Sequence, residues 1–135
     1  MSLAVSKKVG SMWAKSLKLN NGWEIPQVGL GCYHIEDKDA LTTACELGYK
    51  HFDTAGFYKN DKWVGAEVQS YMFMNAWTRE DYFICSKIPP AFINGKRAGP
   101  LVDASVKAVN QGYLDCMLLL WPGSFGAKKL EDTDP

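Results

Sequence analysis

The chain has 135 residues, 47% of them hydrophobic and 13% aromatic, with 15 basic and 15 acidic side chains and a formal net charge of zero. That length holds one domain at most, or a piece of a larger one, and the apolar content supplies a core, which argues against disorder. Zero net charge without an aromatic-interleaved basic stripe argues against nucleic acid as a partner, and no apolar run nears membrane-span length, although one anionic cofactor could still be held locally.

Residues 1–15 read as a flexible N-terminal tail. Lys7, Lys8, Lys15 and Lys18 precede the first acidic residue, Glu24. There is no continuous apolar stretch among them, which argues against secretion. Lysines without arginine fit a solvated extension better than a mitochondrial presequence. Cys32, Cys45, Cys85 and Cys116 are widely spaced, form no C-x-x-C pair, and each lies in or beside an apolar run. Cysteines so placed are small buried hydrophobes, and only His34 and His51 could join them as ligands. The expectation is therefore no metal site and a reducing, cytoplasmic compartment.

Structure begins at Ser16. Alternating apolar residues on both sides of Asn20-Asn21-Gly22 predict a two-residue hairpin ended by Pro26, with both turn positions at positive φ. Val28-Gly29-Leu30-Gly31 predicts a short strand whose bare backbone lets something else approach closely. Ala40, Leu41, Ala44 and Cys45 then share one helical face, with Asp37 or Asp39 at the start and Gly48 as the stop. Tyr49–Thr54 predicts a strand, and Asp61–Met74 a helix with Val64, Val68, Tyr71 and Met72 inward. Met72, Phe73, Met74 and Trp77 are expected to pack on the sheet. Tyr82–Ser86 is the next strand. A third helix is placed after Pro100, with Leu101, Val102, Ser105, Val106 and Val109 inward and Gly112 as its stop. Cys116–Leu120 is wholly apolar, as in a strand covered on both faces. Residues 123–135 read as a polar loop, with Lys128, Lys129, Glu131 and Asp132 solvated.

The order is a hairpin followed by β-α-β-α-β-α-β. Such repeats make either an open doubly wound sheet or a closed eight-stranded barrel, and both gather chemistry at the C-terminal ends of the strands. Asp53, Lys87 and Leu120 fall at three such ends, and Tyr58 lies in the loop after one. A charged lysine beside a tyrosine stabilises phenolate, and a carboxylate keeps the lysine charged. That set suits a general acid that protonates a carbonyl oxygen while hydride reaches the carbon. Gly29-x-Gly31 is not a dinucleotide fingerprint, because the third glycine and the immediate helix are lacking. His51, inside a strand, reads as a hydrogen-bonded core histidine, and His34, near Tyr33, reads as an ordinary loop residue in preference to one that lines a substrate mouth. Trp121 suits packing or a pocket rim equally.

Several ordered segments together resemble the N-terminal half of an aldo-keto reductase. They are Leu19-Asn20-Asn21-Gly22, Gly29-Leu30-Gly31, Glu46 through Ala55 with Asp53-Thr54-Ala55, Tyr58, Asn60 with Val64-Gly65, Arg79-Glu80-Asp81, Ser86-Lys87, Ser105-Val106-Lys107 and Tyr113-Leu114-Asp115 running to Trp121-Pro122. The resemblance implies that residues 16–135 form the first part of an NAD(P)H-dependent (β/α)8 TIM barrel, in the α/β class: a hairpin, four parallel strands and three helices. It implies reduction of a small aldehyde or ketone with NADPH. Tyr58 would donate the proton, Lys87 would assist it, and Asp53 would pair with Lys87 and touch the nicotinamide ribose. Gly31 and Cys32 would border the cofactor, and Leu120 and Trp121 the substrate pocket. The family's histidine before Trp-Pro is here Leu120, which can neither donate a hydrogen bond nor carry charge, and its usual threonine after Gly31 is Cys32. A family barrel needs about 250 residues. Half a barrel exposes apolar edges, so self-association or an inactive binding or assembly module is the alternative expectation.

Overall fold

The computed structural model describes residues 15–123; the tail expected at 1–15, apart from Lys15, and the loop expected from 123, apart from Gly123, lie outside the described residues. Strands β1 (Ser16–Lys18) and β2 (Glu24–Pro26) pair antiparallel, with Leu17 opposite Ile25. Their turn is longer than the sequence suggests. Leu19 N–H donates to the Trp23 carbonyl at 2.7 Å and Gly22 N–H to the Leu19 carbonyl at 3.0 Å, and Gly22 has φ of 90°. Asn21 is not among the positive-φ residues, so this is a three-residue loop that ends on a left-handed glycine rather than a two-residue turn.

The main sheet is parallel, in the order β3 (Leu30–Gly31), β4 (His51–Asp53), β5 (Phe83–Ile88) and β6 (Cys116–Leu119). Helices α1 (Lys38–Glu46), α2 (Asp61–Asn75) and α3 (Gly95–Val109) link successive strands. Leu30, Phe52 and Ile84 lie in register across three strands and therefore on one face. Phe52 and Ile84 belong to one core with Leu41, Ala44 and Cys45 of α1, Val64, Val68 and Tyr71 of α2, and Val109 of α3, and Leu30 packs against it. The opposite face carries His51, Asp53, Cys85 and Lys87.

Local chemistry sets the ends of the helices. Asp37 accepts the Asp39 N–H at 2.9 Å and starts α1. At its other end, Gly48 N–H donates to the Cys45 carbonyl and Tyr49 N–H to the Ala44 carbonyl, both at 3.0 Å, with Gly48 at φ of 90°. Only glycine adopts that φ freely, so the helix stops where the sequence suggests. Helix α3 begins five residues earlier than Pro100 because the Asn94 side chain caps it, accepting the Arg97 N–H at 2.9 Å. Pro100 lies inside the helix and forfeits the bond to the Lys96 carbonyl, at an end open to water. Asn110, at φ of 54°, closes α3 ahead of Gly112.

Three further expectations need correction. Ala40 is exposed, since the buried stripe of α1 is Leu41, Ala44 and Cys45. Phe73 and Met74 point to solvent, 91% and 60% exposed, while Met72 and Trp77 pack against the core. Strand β6 is not covered on both faces. Leu118 and Leu119 are 44% and 57% exposed, because β6 is the last strand of the sheet among the described residues.

Helices α2 and α3 touch at Gly65. A Cβ there would sit 1.8 Å from the Val109 carbonyl oxygen, which is backbone and cannot yield. Gln111 seals the contact by donating to the Gly65 carbonyl at 3.0 Å. Gly65→Ala should therefore lower stability by about 1–3 kcal/mol, the usual cost of overpacking. A fall in the urea midpoint at constant slope would show this, and an unchanged midpoint would contradict the crossing.

Candidate active site at the strand ends

Strand register assembles the site. Asp53 is opposite Cys85, so Lys87 lies two residues further along β5 on the same face. The Lys87 Nζ donates to the Asp53 Oδ1 at 2.6 Å and to the Thr54 carbonyl at 3.1 Å. It also stands 4.8 Å from the centre of the Tyr58 ring. The three groups separated in the sequence thus meet at one point. Only 11% of the Lys87 side chain is exposed, against 36% for Asp53. Burial works against the ammonium, but hydrogen bonds to Asp53 and Tyr58 outweigh it and raise the Lys87 pKa above its ordinary value.

Tyr58 reaches this point through a short 3-10 turn, Gly56–Tyr58, closed by Tyr58 N–H to the Ala55 carbonyl at 2.8 Å. Lys59 follows at φ of 60° and turns the chain back inward. Beneath the loop lies a buried polar brace. The Thr54 hydroxyl contacts Asn60 Oδ1 at 2.9 Å and Asp61 Oδ1 at 3.0 Å. Asn60 Nδ2 donates to the Cys32 carbonyl at 2.7 Å and to the Ile35 carbonyl at 3.2 Å. Burial pushes the Asp61 carboxyl up, against the pull of the Thr54 hydroxyl. Thr54, Asn60 and Asp61 thus tie the loop after β3 to the loop that carries Tyr58. Sequence reasoning assigned the three no role at the site. Their signal in the sequence is small and polar: Thr54 directly after the strand, and Asn60-Asp61 at the start of the next helix.

The other expected site residues are placed as follows. Gly31 is in register with Asp53, and a Cβ on it would meet nothing within 4 Å, so the sheet leaves an open ledge beside the carboxylate. Cys32 is fully buried, and its N–H donates to the Asp53 carbonyl at 2.9 Å. It supports the ledge from beneath. Leu120 N–H donates to the Ile88 carbonyl at 2.9 Å. Because Leu118 pairs with Lys87, alternation places Leu120 on the same face, one pleat beyond. Trp121 is 66% exposed. Tyr33, in the loop after β3, packs its ring 5.0 Å from that of Tyr58, and His34 beside it takes a φ of 58°. His51 is held in the strand by the Pro26 carbonyl, 3.3 Å from Nδ1. Among the described residues, no three metal-binding side chains cluster, and no helix is long and apolar enough to cross a membrane.

The chain is similar to several known proteins in sequence and fold. Residues 25–124 match the model of the aldo/keto reductase family. The chain is 37% identical over 118 residues to an aldose reductase of Encephalitozoon cuniculi, covering 84% of this chain and 38% of that protein. It is 38% identical over 114 residues to a D-galacturonate reductase of Hypocrea jecorina, covering 82% of this chain and 36% of the relative. An NADPH-dependent D-xylose reductase of Meyerozyma guilliermondii is 30% identical over 123 residues, with 89% and 39% covered. The solved aldose reductase of Schistosoma japonicum superposes with a TM-score of 0.74 at 32% identity, over 84% of this chain and 40% of that one. The chain thus spans about two fifths of the length of these relatives, and its four parallel strands and three helices correspond to part of their barrel. With the match running from the second hairpin strand to just past Trp121-Pro122, the chain belongs to the aldo/keto reductase family.

Proposed function

We propose that this chain supplies the proton-donating half of an NAD(P)H-dependent aldo-keto reductase site that reduces small aldehydes or ketones to alcohols. The observation that carries the reading is the Lys87 ammonium, 2.6 Å from Asp53 and against the Tyr58 ring. The nicotinamide cofactor, when bound, supplies the hydride. The residues present fit it: Gly31 leaves a flat ledge, and the Asp53 Oδ2 has no protein hydrogen bond among the described residues, so it can accept one from a ribose hydroxyl. Gly31 and Asp53 would border the cofactor, with Cys32 beneath them. NADPH is the cofactor favoured, as in the NADPH-dependent D-xylose reductase of Meyerozyma guilliermondii, although the similar D-xylose reductase of Candida tropicalis is NAD(P)H-dependent.

The chain's own chemistry is proton delivery. Tyr58 donates its phenolic proton to the substrate oxygen as charge gathers there, and Lys87 stabilises the phenolate left behind. Asp53 and the Thr54 carbonyl keep the ammonium in place. Leu120 and Trp121 would line the carbonyl's side of the pocket, with Leu120 giving the substrate oxygen no hydrogen bond. That apolar group supports a second reading, in which the chain is a catalytically inactive binding or assembly module. The exposed Leu118 and Leu119 at the sheet edge suit that reading and would drive self-association.

NADPH oxidation with a simple aldehyde separates the readings. Tyr58→Phe should lower the rate by about 10²–10⁴, the usual worth of a positioned general acid. Equal rates in the two proteins would reject the phenol as donor. Leu120→His should raise the rate by roughly 10²–10³, the worth of one preorganised donor. No Tyr58-dependent turnover even in Leu120→His would leave the binding module standing.

The lysine makes a separate prediction about pH. Because its folded-state pKa is raised, the charge contributes stability that is complete below the ordinary lysine value of 10.5 and fades as pH rises through the higher folded value. The stability difference between wild type and Lys87→Met, from urea titrations, should be flat up to that pH and shrink above it. A difference that grows with alkalinity would refute the pairing.

A further inference from the structure

Away from the tyrosine, the same face of the sheet carries two thiols side by side. Cys85 of β5 is directly opposite Cys116 of β6. In-register neighbours of a sheet lie about 4.8 Å apart, inside the roughly 4.4–6.8 Å Cα separation that a disulfide spans. Both thiols are free, Cys85 buried and Cys116 half-buried, so Cys116 meets solvent first. The His51 Nε2 stands 3.5 Å from the Cys85 Sγ. Its other nitrogen, Nδ1, faces the Pro26 carbonyl at 3.3 Å. A carbonyl only accepts, so the proton belongs on Nδ1 and the Nε2 lone pair is turned toward the Cys85 thiol. Gly29 makes room for this ring, since a Cβ there would come within 2.6 Å of Nδ1. Cys32 and Cys45 are part of the helix-covered core and take no part.

We propose that Cys85, Cys116 and His51 form a dithiol site that exchanges with small-molecule disulfides and closes to an intramolecular Cys85–Cys116 disulfide. Cys116, as thiolate, attacks one sulfur of the small disulfide and expels the first small thiolate, which takes up a proton. Cys85 then attacks the Cys116 sulfur, its own proton passing to His51 Nε2. The second small thiolate leaves and takes that proton. Two protein thiols and one small disulfide become one protein disulfide and two small thiols, so the protein loses two electrons and the reagent gains them. The order is fixed by environment. Burial, with Cys116 and Asp53 adding to it, pushes the Cys85 thiol up to about 12. Cys85 is thus a poor first nucleophile and needs a base at hand for the second step.

Oxidised glutathione, applied to the folded chain at mildly alkaline pH, tests this. Wild type should lose two hydrogen masses and yield the tryptic peptides Glu80–Lys87 and Ala108–Lys128 joined through Cys85 and Cys116. Cys85→Ser should instead accumulate one glutathione on Cys116, and Cys116→Ser should stay unmodified at Cys85. His51→Gln should reach the same bridged product with a closing step about tenfold slower or more, given the usual worth of a general base. A persistent glutathione adduct in wild type, a bridge to Cys32 or Cys45, or no reaction would overturn the site. An unchanged closing rate in His51→Gln would overturn the role of the imidazole. The wild-type product is decisive even if a variant fails to fold.

Discussion

A lysine charge that is nine-tenths out of water must be answered by the protein, and most of this site is that answer. The Lys87 side chain is 11% exposed. An ion in that position loses several kcal/mol of hydration unless charge and hydrogen bonds replace it. Asp53 supplies the opposite charge at 2.6 Å and Thr54 a carbonyl at 3.1 Å. Both come from the end of β4, and both reach Nζ because β4 and β5 run parallel with Asp53 opposite Cys85. A shift of one residue would turn Lys87 to the helix-covered face, away from Asp53. The ion pair therefore selects the register as much as the register makes the ion pair.

A second brace fixes β5 against β6 from the other end. Arg79 pairs with Asp115 at 2.6 Å, and the same Asp115 oxygen accepts the Ile84 N–H at 2.7 Å. Arg79 also donates to the Tyr82 and Tyr113 carbonyls and lies 4.0 Å over the Tyr113 ring. Two largely buried ion pairs, one below the strands and one at their upper ends, hold the strand that carries the lysine. The loop bearing Tyr58 needs its own restraint, since it leaves the sheet. Thr54, Asn60 and Asp61 provide it by linking three segments through buried hydrogen bonds. The proton donor proposed for this site benefits from a loop that cannot drift, and buried polar networks give that rigidity when all members are paired.

The pattern of apolar residues was enough to read the alternation of strands and helices and the convergence of Asp53, Tyr58 and Lys87. Period and strand direction are local, and chemistry at strand ends follows from them. What escaped depended on tertiary neighbours. Helix α3 was read from Pro100, yet Asn94 caps it earlier, because a capping side chain outweighs a proline that an open helix end tolerates. Phe73 and Met74 look like core by composition but fall on the outer side of α2. Strand β6 is apolar enough to be covered twice, yet it is the last strand of the described sheet and Leu118 and Leu119 are exposed. The Thr54–Asn60 brace is invisible to periodicity, since its members are close in space only once the β3 and β4 loops meet.

Leu120 and the Cys85–Cys116 pair give the same lesson about the open face of the sheet. Side chains there alternate away from the helices, so the helix-covered core does not dictate them, and the chemistry of the site can change while the fold stands. Leu120 makes its ladder bond to the Ile88 carbonyl through the backbone alone, so that bond does not depend on which side chain stands there. Cysteines at 85 and 116 occupy paired positions without strain, because a thiol is small and tolerates burial. His51 then acquires a sulfur neighbour in addition to its carbonyl. The scaffold that holds Lys87 and Tyr58 depends on ion pairs, caps and the Gly65 contact, none of which these four side chains make. Substitution on this face can therefore change the chemistry proposed for the site without touching the contacts that hold Lys87 and Tyr58 in place.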